Sequence, residues 1–341
     1  MIGGGRGGAQ RGPSTAFAVR IVVSTLIVAG LVLYARTVNW HETWQRVTEA
    51  DPLVLLAATF VNLLSLAGKA VLWWIFLRPI GVKSLPMAAK ATFAGAGLNN
   101  ILVANGGEAA RVMFVARAAN VRSAKVLATL ALERMFELVG YIALATLSVT
   151  FLELPTSLRR TWPIAWLLLA GSVAFLVYLV RRPKLPQRLG ADGTCGWTAR
   201  FARYMRQFAH TVGGLSTGPR AFAAMALSMV IWGLQLWTYG LTARAAHFNI
   251  SLAGTVIAFL AVNLGFAVRA TPGNVGVFQA TYALIAITFG MDRDQAIAVA
   301  FLVQAQQLIP VTLIGVALAP EFVFNRREAT SLPASTLRAP L

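Results

Sequence analysis

Runs of roughly twenty apolar residues recur along the whole chain, each about the length that an α-helix needs to cross some 30 Å of hydrocarbon. In lipid the backbone must bond to itself, so a run of this kind that lacks period-two alternation folds as a helix. The runs are Ala16 to Tyr34, Leu53 to Leu77, Ala124 to Phe151, Trp162 to Val180, Phe222 to Ala245, Leu252 to Val268, Val275 to Gly290 and Ala296 to Ala319. They predict an all-α polytopic membrane protein of about eight transmembrane helices. Only 12% of the 341 residues are charged and 57% are hydrophobic, against about 25% charged in a soluble domain. The net charge of +18 then belongs to loops, where it orients the spans rather than binding nucleic acid, because no basic domain stands apart from the apolar runs.

Loop charge sets the topology. The segment 181–220 has eight Arg or Lys against Asp192, the strongest cytoplasmic signal in the chain. Within it Trp197, Phe201, Tyr204, Phe208 and Val212 share one helical face, as in a helix lying on the membrane. Trp40 and Trp44 sit one turn apart on an outer connection. Ala91 to Val103 is apolar but only about a dozen residues long, with basic flanks on both sides, so it reads as a re-entrant segment. The division expected is a disordered tail at 1–15, a transmembrane body at 16–320 and a polar tail at 321–341. The location expected is the cell membrane, with both termini cytoplasmic.

Catalytic signatures are sparse. Cys195 is the single cysteine, and His41, His210 and His247 are too scattered for a metal site, so no metal or cofactor is expected. Asp292 and Asp294 flank Arg293 in what reads as a hydrophilic turn. Charge inside the spans is more informative, because each ionisable group at hydrocarbon depth requires a partner or a purpose. Glu133, Arg134 and Glu137 lie within one span; Arg134 reaches Glu137 at i,i+3, and Lys69 of the second span is the counter-charge expected for the remaining Glu133. A self-satisfied ion pair that only holds helices together is the competing reading.

Ahead of that span comes Asn99-Asn100-Ile101-Leu102-Val103-Ala104-Asn105-Gly106-Gly107-Glu108-Ala109-Ala110-Arg111. Paired glycines permit a sharp turn, and a helix starting near Glu108 aims its positive end at whatever occupies it, which suits an anionic head group. The plainer reading is a glycine turn with Glu108 and Arg111 as a surface i,i+3 pair. A second such design is Arg269-Ala270-Thr271-Pro272-Gly273-Asn274-Val275-Gly276-Val277-Phe278-Gln279. Glu108 precedes Glu133 by 25 residues, as Gln279 precedes Gln304, so an offset of 171 sets acidic residues over amides and suggests an internal repeat. Glycine- or proline-interrupted segments at matching places in two halves mark transporters whose site lies at the repeat interface. Gln304, Gln306 and Gln307 also serve helix–helix adhesion in the plainer reading.

Gly106-Gly107-Glu108-Ala109-Ala110-Arg111, then Leu132-Glu133-Arg134, and later Thr271-Pro272-Gly273-Asn274-Val275-Gly276 resemble the flippase-like transmembrane domain of lysylphosphatidylglycerol synthases and its stand-alone relatives, over roughly residues 20 to 320. The resemblance implies re-entrant segments and a role in moving or presenting lipids between leaflets. In the fused synthases a soluble domain transfers an aminoacyl group; with about twenty residues after the last expected span, that transfer is not expected of this chain. The family's late motif usually reads glycine where Asn274 stands and glutamate where Gln279 stands, which bears on substrate and on proton coupling. The expected activity is therefore lipid translocation rather than catalysis. Lys69, Asn100, Asn105, Gly106, Gly107, Glu108, Arg111, Glu133, Arg134 and Glu137 would receive the head group, together with Arg269, Pro272, Gly273, Asn274, Gly276, Gln279 and Gln304. An intramembrane lipid-modifying transferase and an accessory subunit of a separately encoded synthase are the alternatives. Membrane lipids with anionic head groups are the expected partners.

Overall fold

A computed structural model describes residues 36, 38–101, 106–154, 156–181, 218–248, 250–265 and 272–328. Among these residues the fold is all α-helical: α1 (Trp40–Thr48), α2 (Pro52–Leu77), α3 (Leu85–Ile101), α4 (Gly106–Ala118), α5 (Ser123–Phe151), the single turn α6 (Thr156–Arg159), α7 (Trp162–Arg181), α8 (Gly218–Ala245), α9 (Leu252–Gly265), α10 (Val277–Thr288) and α11 (Arg293–Glu328). One 3-10 turn, Arg78–Ile80, follows α2 and another, Pro272–Asn274, precedes α10. The expected span at 16–34, the basic loop with its surface helix, Asn105, Arg269 and the tail at 1–15 lie outside the described residues.

Local sequence sets the helix ends. Asp51 caps α2, its carboxylate accepting from the backbone N–H of Leu53 (2.8 Å) and Val54 (3.3 Å), and Pro52 at the first position has no N–H to leave orphaned. Among the described residues three helical stretches are long and apolar enough to cross a membrane: Pro52–Ile80, Gly218–Ala245 and Arg293–Leu318. Their outer faces carry exposed apolar stripes, such as Leu53, Leu56, Phe60 and Leu64 on α2 and Ile309, Leu313 and Val316 on α11. Apolar belts this large on a folded surface belong against acyl chains. Trp40 and Trp44 are exposed on α1, as expected of residues at the lipid–water boundary.

Leu252 to Val268 and Val275 to Gly290, expected as crossings, contain the described helices α9 and α10, of 14 and 12 residues. At 1.5 Å per residue the described helices span about 21 and 18 Å. Gly106 to Ala118 is the helix α4, in line with the helix expected to start near Glu108, and it buries Val112, Val115 and Ala116. The polar tail likewise begins as helix, since α11 continues to Glu328.

The 171-residue offset extends to whole helices. Shifted by that amount, the starts of α2, α3, α4 and α5 fall at 223, 256, 277 and 294; α8, α9, α10 and α11 begin at 218, 252, 277 and 293. The halves thus share one plan, a long helix, two short ones and a long helix. The equivalent helices α2 and α8 run antiparallel: the backbone N–H of Asp51, before α2, donates to the Ala245 carbonyl at the end of α8 (2.8 Å), while Leu72 and Phe76 near the end of α2 pack in one cluster with Ala224 and Ile231 of α8. The halves are therefore inverted. Each short-helix pair follows directly on its long helix, so α3/α4 and α9/α10 enter from opposite ends of the antiparallel pair. They meet inside, where a Cβ on Gly273 would lie 3.8 Å from the Asn100 carbonyl oxygen.

Candidate functional site

Glycine brings the first hairpin together. A Cβ on Gly107 would fall 1.9 Å from the carbonyl oxygen of Gly95, so α4 crosses α3 backbone against backbone. The Gly107 N–H donates to Asn99 Oδ1 (2.8 Å), which satisfies one orphan donor at the start of α4. This fixes Glu108 and Arg111 on one turn of α4, facing the middle of α5.

Six charges converge there. Arg111 pairs with Glu133, and Arg134 pairs with Glu108 and, at 2.6 Å, with Glu137. Lys69 Nζ of α2 approaches Glu137 Oε1 to 3.4 Å, an ion-pair contact longer than a good hydrogen bond. Three cations and three carboxylates balance. Glu133 lies ten residues into α5, roughly 15 Å along the axis, and Lys69 eight residues before the end of α2, about 12 Å in. The cluster thus sits at hydrocarbon depth, where separate charges are costly and mutual pairing lowers that cost.

Aromatic rings frame it. The Arg111 guanidinium lies 4.0 Å over the Trp73 ring, and Trp73 Nε1 donates to Thr129 Oγ1 (3.0 Å). Arg111 Nε is buried without a hydrogen-bond partner, so the ring face takes up part of that donor's unmet demand. Trp232 Nε1 donates to the Glu137 carbonyl (3.0 Å), and its ring lies 6.0 Å from Lys69 Nζ. Neither tryptophan was singled out from sequence. Trp73 stands four residues after Lys69 on one face of α2, and that spacing was the available signal.

Partner assignment also differs from expectation. Lys69 meets Glu137, and Glu133 takes Arg111 instead; Glu108 and Arg111 make no surface pair, because each turns to a different residue of α5. Packing of α4 on α5 decides this, and no spacing within one helix encodes it. Asn100 does not reach the cluster. Its Nδ2 donates to Thr312 Oγ1 (3.0 Å) and the Leu308 carbonyl (3.4 Å) of α11. Next to it Gly97 and Gly315 are in backbone contact, a Cβ on Gly97 lying 2.7 Å from the Gly315 Cα.

The second hairpin gathers the other expected residues into an uncharged network. Pro272 opens a turn in which Gly273 (φ 61°), Asn274 (φ 59°) and Gly276 (φ 90°) adopt left-handed backbone. Gln279 Oε1 accepts from the Gly276 N–H (2.6 Å), its Nε2 donates to Gln304 Oε1, and Gln304 Nε2 donates to the Gly273 carbonyl (2.8 Å). Gln306 holds helices together, accepting from Thr242 Oγ1 (2.8 Å). Its own carbonyl, which Pro310 cannot bond, accepts from Asn62 Nδ2 (3.2 Å). A shallow cleft at Val149, Thr150, Arg159 and Trp162 lies far along α5 from both networks.

Accessibility divides the charged cluster. The side chains of Arg111 and Glu133 are 6% and 1% exposed, whereas Arg134 is 45%, Lys69 25% and Glu108 23% exposed. One pair is dry, Glu137 is 8% exposed, and Arg134, Lys69 and Glu108 open to the surroundings.

Comparison with known proteins agrees with this architecture. The UPF0104 membrane protein PH1989 of Pyrococcus horikoshii is 23% identical over 321 residues, covering 85% of this chain and 94% of that protein. The family model for the lysylphosphatidylglycerol synthase TM region matches residues 20–315. With nearly its whole helical body matched, this multi-pass membrane protein belongs to the family of the lysylphosphatidylglycerol synthase TM region.

Proposed function

We propose that the chain is an integral membrane lipid translocase that moves or presents an anionic phospholipid or a lipid-linked phosphate between leaflets. One observation carries the reading: Arg134 and Lys69 are partly exposed cations at the depth of the acyl chains, beside a glycine-built hairpin. A phosphate reaching that depth gains charge-assisted hydrogen bonds from the guanidinium and the ammonium while its tails stay in lipid. The inverted halves support the same reading. Two hairpins entering from opposite ends and meeting inside suit access that alternates between faces. Here α3 is drawn against α11 through Gly97 and Gly315, whereas α9 touches α5 chiefly where Tyr141 Oη donates to the Leu260 carbonyl (2.7 Å). Exchange of these contacts between the halves would open the cluster to the other side. In this reading the protein lies in the cell membrane with cytoplasmic termini, and its ligands are lipid head groups.

Native mass spectrometry on protein extracted in mild detergent tests this. Wild type is expected to retain phosphate-bearing lipid, and the Lys69→Gln/Arg134→Gln double variant to lose it. Equal retention by both, or retention of neutral lipid alone, contradicts the proposal.

A further inference from the structure

Only one member of the cluster is both a carboxylate and loosely held. Glu133 is dry against Arg111, and Glu137 is 8% exposed between Lys69 and Arg134. Glu108 is different: among the described residues its ion-pair partner is the half-exposed Arg134, and solvent-screened pairs of that kind are weak. We propose that Glu108 and the substrate phosphate compete for Arg134, so that Glu108 sets how tightly, and which, anionic head groups are held. The proposal rests on the translocase reading and names the atoms at which a head group would be recognised.

Chemistry and charge both favour the exchange. A carboxylate and a phosphate offer a guanidinium fork the same pair of oxygens, so one replaces the other without moving Arg134. With three cations and three carboxylates in place, an arriving phosphodiester would leave the cluster with one excess negative charge; withdrawal of Glu108 restores the balance. Neither remaining carboxylate can leave at similar cost: Glu133 would strand the buried Arg111, and Glu137, itself 8% exposed, holds both Lys69 and Arg134. Glu108 lies in the first turn of the 13-residue α4, so a phosphate on Arg134 also approaches the positive end of that helix. The second half lacks the arrangement. Gln279, at the position equivalent to Glu108, is bonded to Gly276 and Gln304, and Ala305 stands where Arg134 would be.

Binding to the purified full-length protein in neutral detergent at low salt tests the competition. The probes are short-chain phosphatidylglycerol, inorganic phosphate and short-chain diacylglycerol. Glu108→Gln is expected to lower the Kd for phosphatidylglycerol by about tenfold, a factor equivalent to about 1.4 kcal/mol, and to leave diacylglycerol unchanged. Glu108→Ala must shift it in the same direction, Glu108→Asp must stay near wild type, and Arg134→Gln combined with Glu108→Gln must abolish the gain. Tightening of phosphatidylglycerol alone assigns the position to a lipid head group; parallel tightening of inorganic phosphate assigns it to phosphate in general. If wild type binds phosphatidylglycerol but neither neutral variant binds it more tightly, the competition is overturned while the translocase reading stands. Failure of every variant, wild type included, to bind either phosphate-bearing probe overturns both.

Discussion

At positions 171 residues apart, Glu108, Arg111 and Glu133 of the first half correspond to Gln279, Tyr282 and Gln304 of the second, and Lys69, Arg134 and Glu137 correspond to Gly240, Ala305 and Leu308. The helices that carry them match almost residue for residue, yet one half holds six charges and the other none at these places. Backbone plan and side-chain chemistry have therefore separated. The plan requires glycines and short helices in both halves, and the charge is confined to one. In the second half the hairpin is closed by neutral hydrogen bonds such as Gln304 Nε2 to the Gly273 carbonyl, which need no counter-ion. In the first it is closed by ion pairs, some of them open to the surroundings.

The sharpest way to break that contrast is to remove one partner of the dry pair. Glu133→Gln or Arg111→Met strands a buried charge and should destabilise the protein by about 3–5 kcal/mol, whereas the double change Arg111→Met/Glu133→Leu should recover most of the loss. Gln304→Leu, the counterpart substitution, should cost only about 1–3 kcal/mol, because the groups left unpaired are neutral. Unfolding in detergent measures all three, and equal losses at Glu133 and Gln304 would erase the distinction between the halves.

A smaller effect concerns the backbone contact. Gly97→Leu forces a side chain between α3 and α11 and should cost about 1–3 kcal/mol in the same assay. The residues at the equivalent positions in the other half are Val268 and Leu144. If Gly97→Leu is tolerated without loss, the tight α3–α11 contact is not what holds the halves unequal. Smallest of all, Glu108→Gln should change stability by less than about 1 kcal/mol, since its pair with Arg134 is partly exposed. A loss as large as that of Glu133→Gln would mean the two ion pairs act as one dry unit.

How far these features were legible varies with their physical origin. The long helices α2, α5, α8 and α11 follow from apolar runs, and the Arg134–Glu137 pair from helical spacing, since both are local properties. The repeat was visible at two residue pairs and is carried in the structure by four helix pairs. The second glycine turn was legible as a copy of the first, but Leu252 to Val268 and Val275 to Gly290 are as apolar as spans, and hydropathy alone does not mark the short helices α9 and α10 within them. The pairing of Arg111 with Glu133, and the framing by Trp73 and Trp232, depend on how α4, α2 and α8 pack on α5. No periodicity within one segment carries that information.

In the proposed translocase the charged half handles the lipid and the amide half supplies the matching scaffold. Transbilayer movement of a fluorescent phosphatidylglycerol in vesicles reconstituted with purified protein measures it most directly, by the fraction of label reached by an external quencher over time. Wild type and Gln279→Leu/Gln304→Leu are predicted to move the lipid at comparable rates, and Arg134→Ala to fall to the rate of protein-free vesicles. Movement by Arg134→Ala at the wild-type rate would contradict the account.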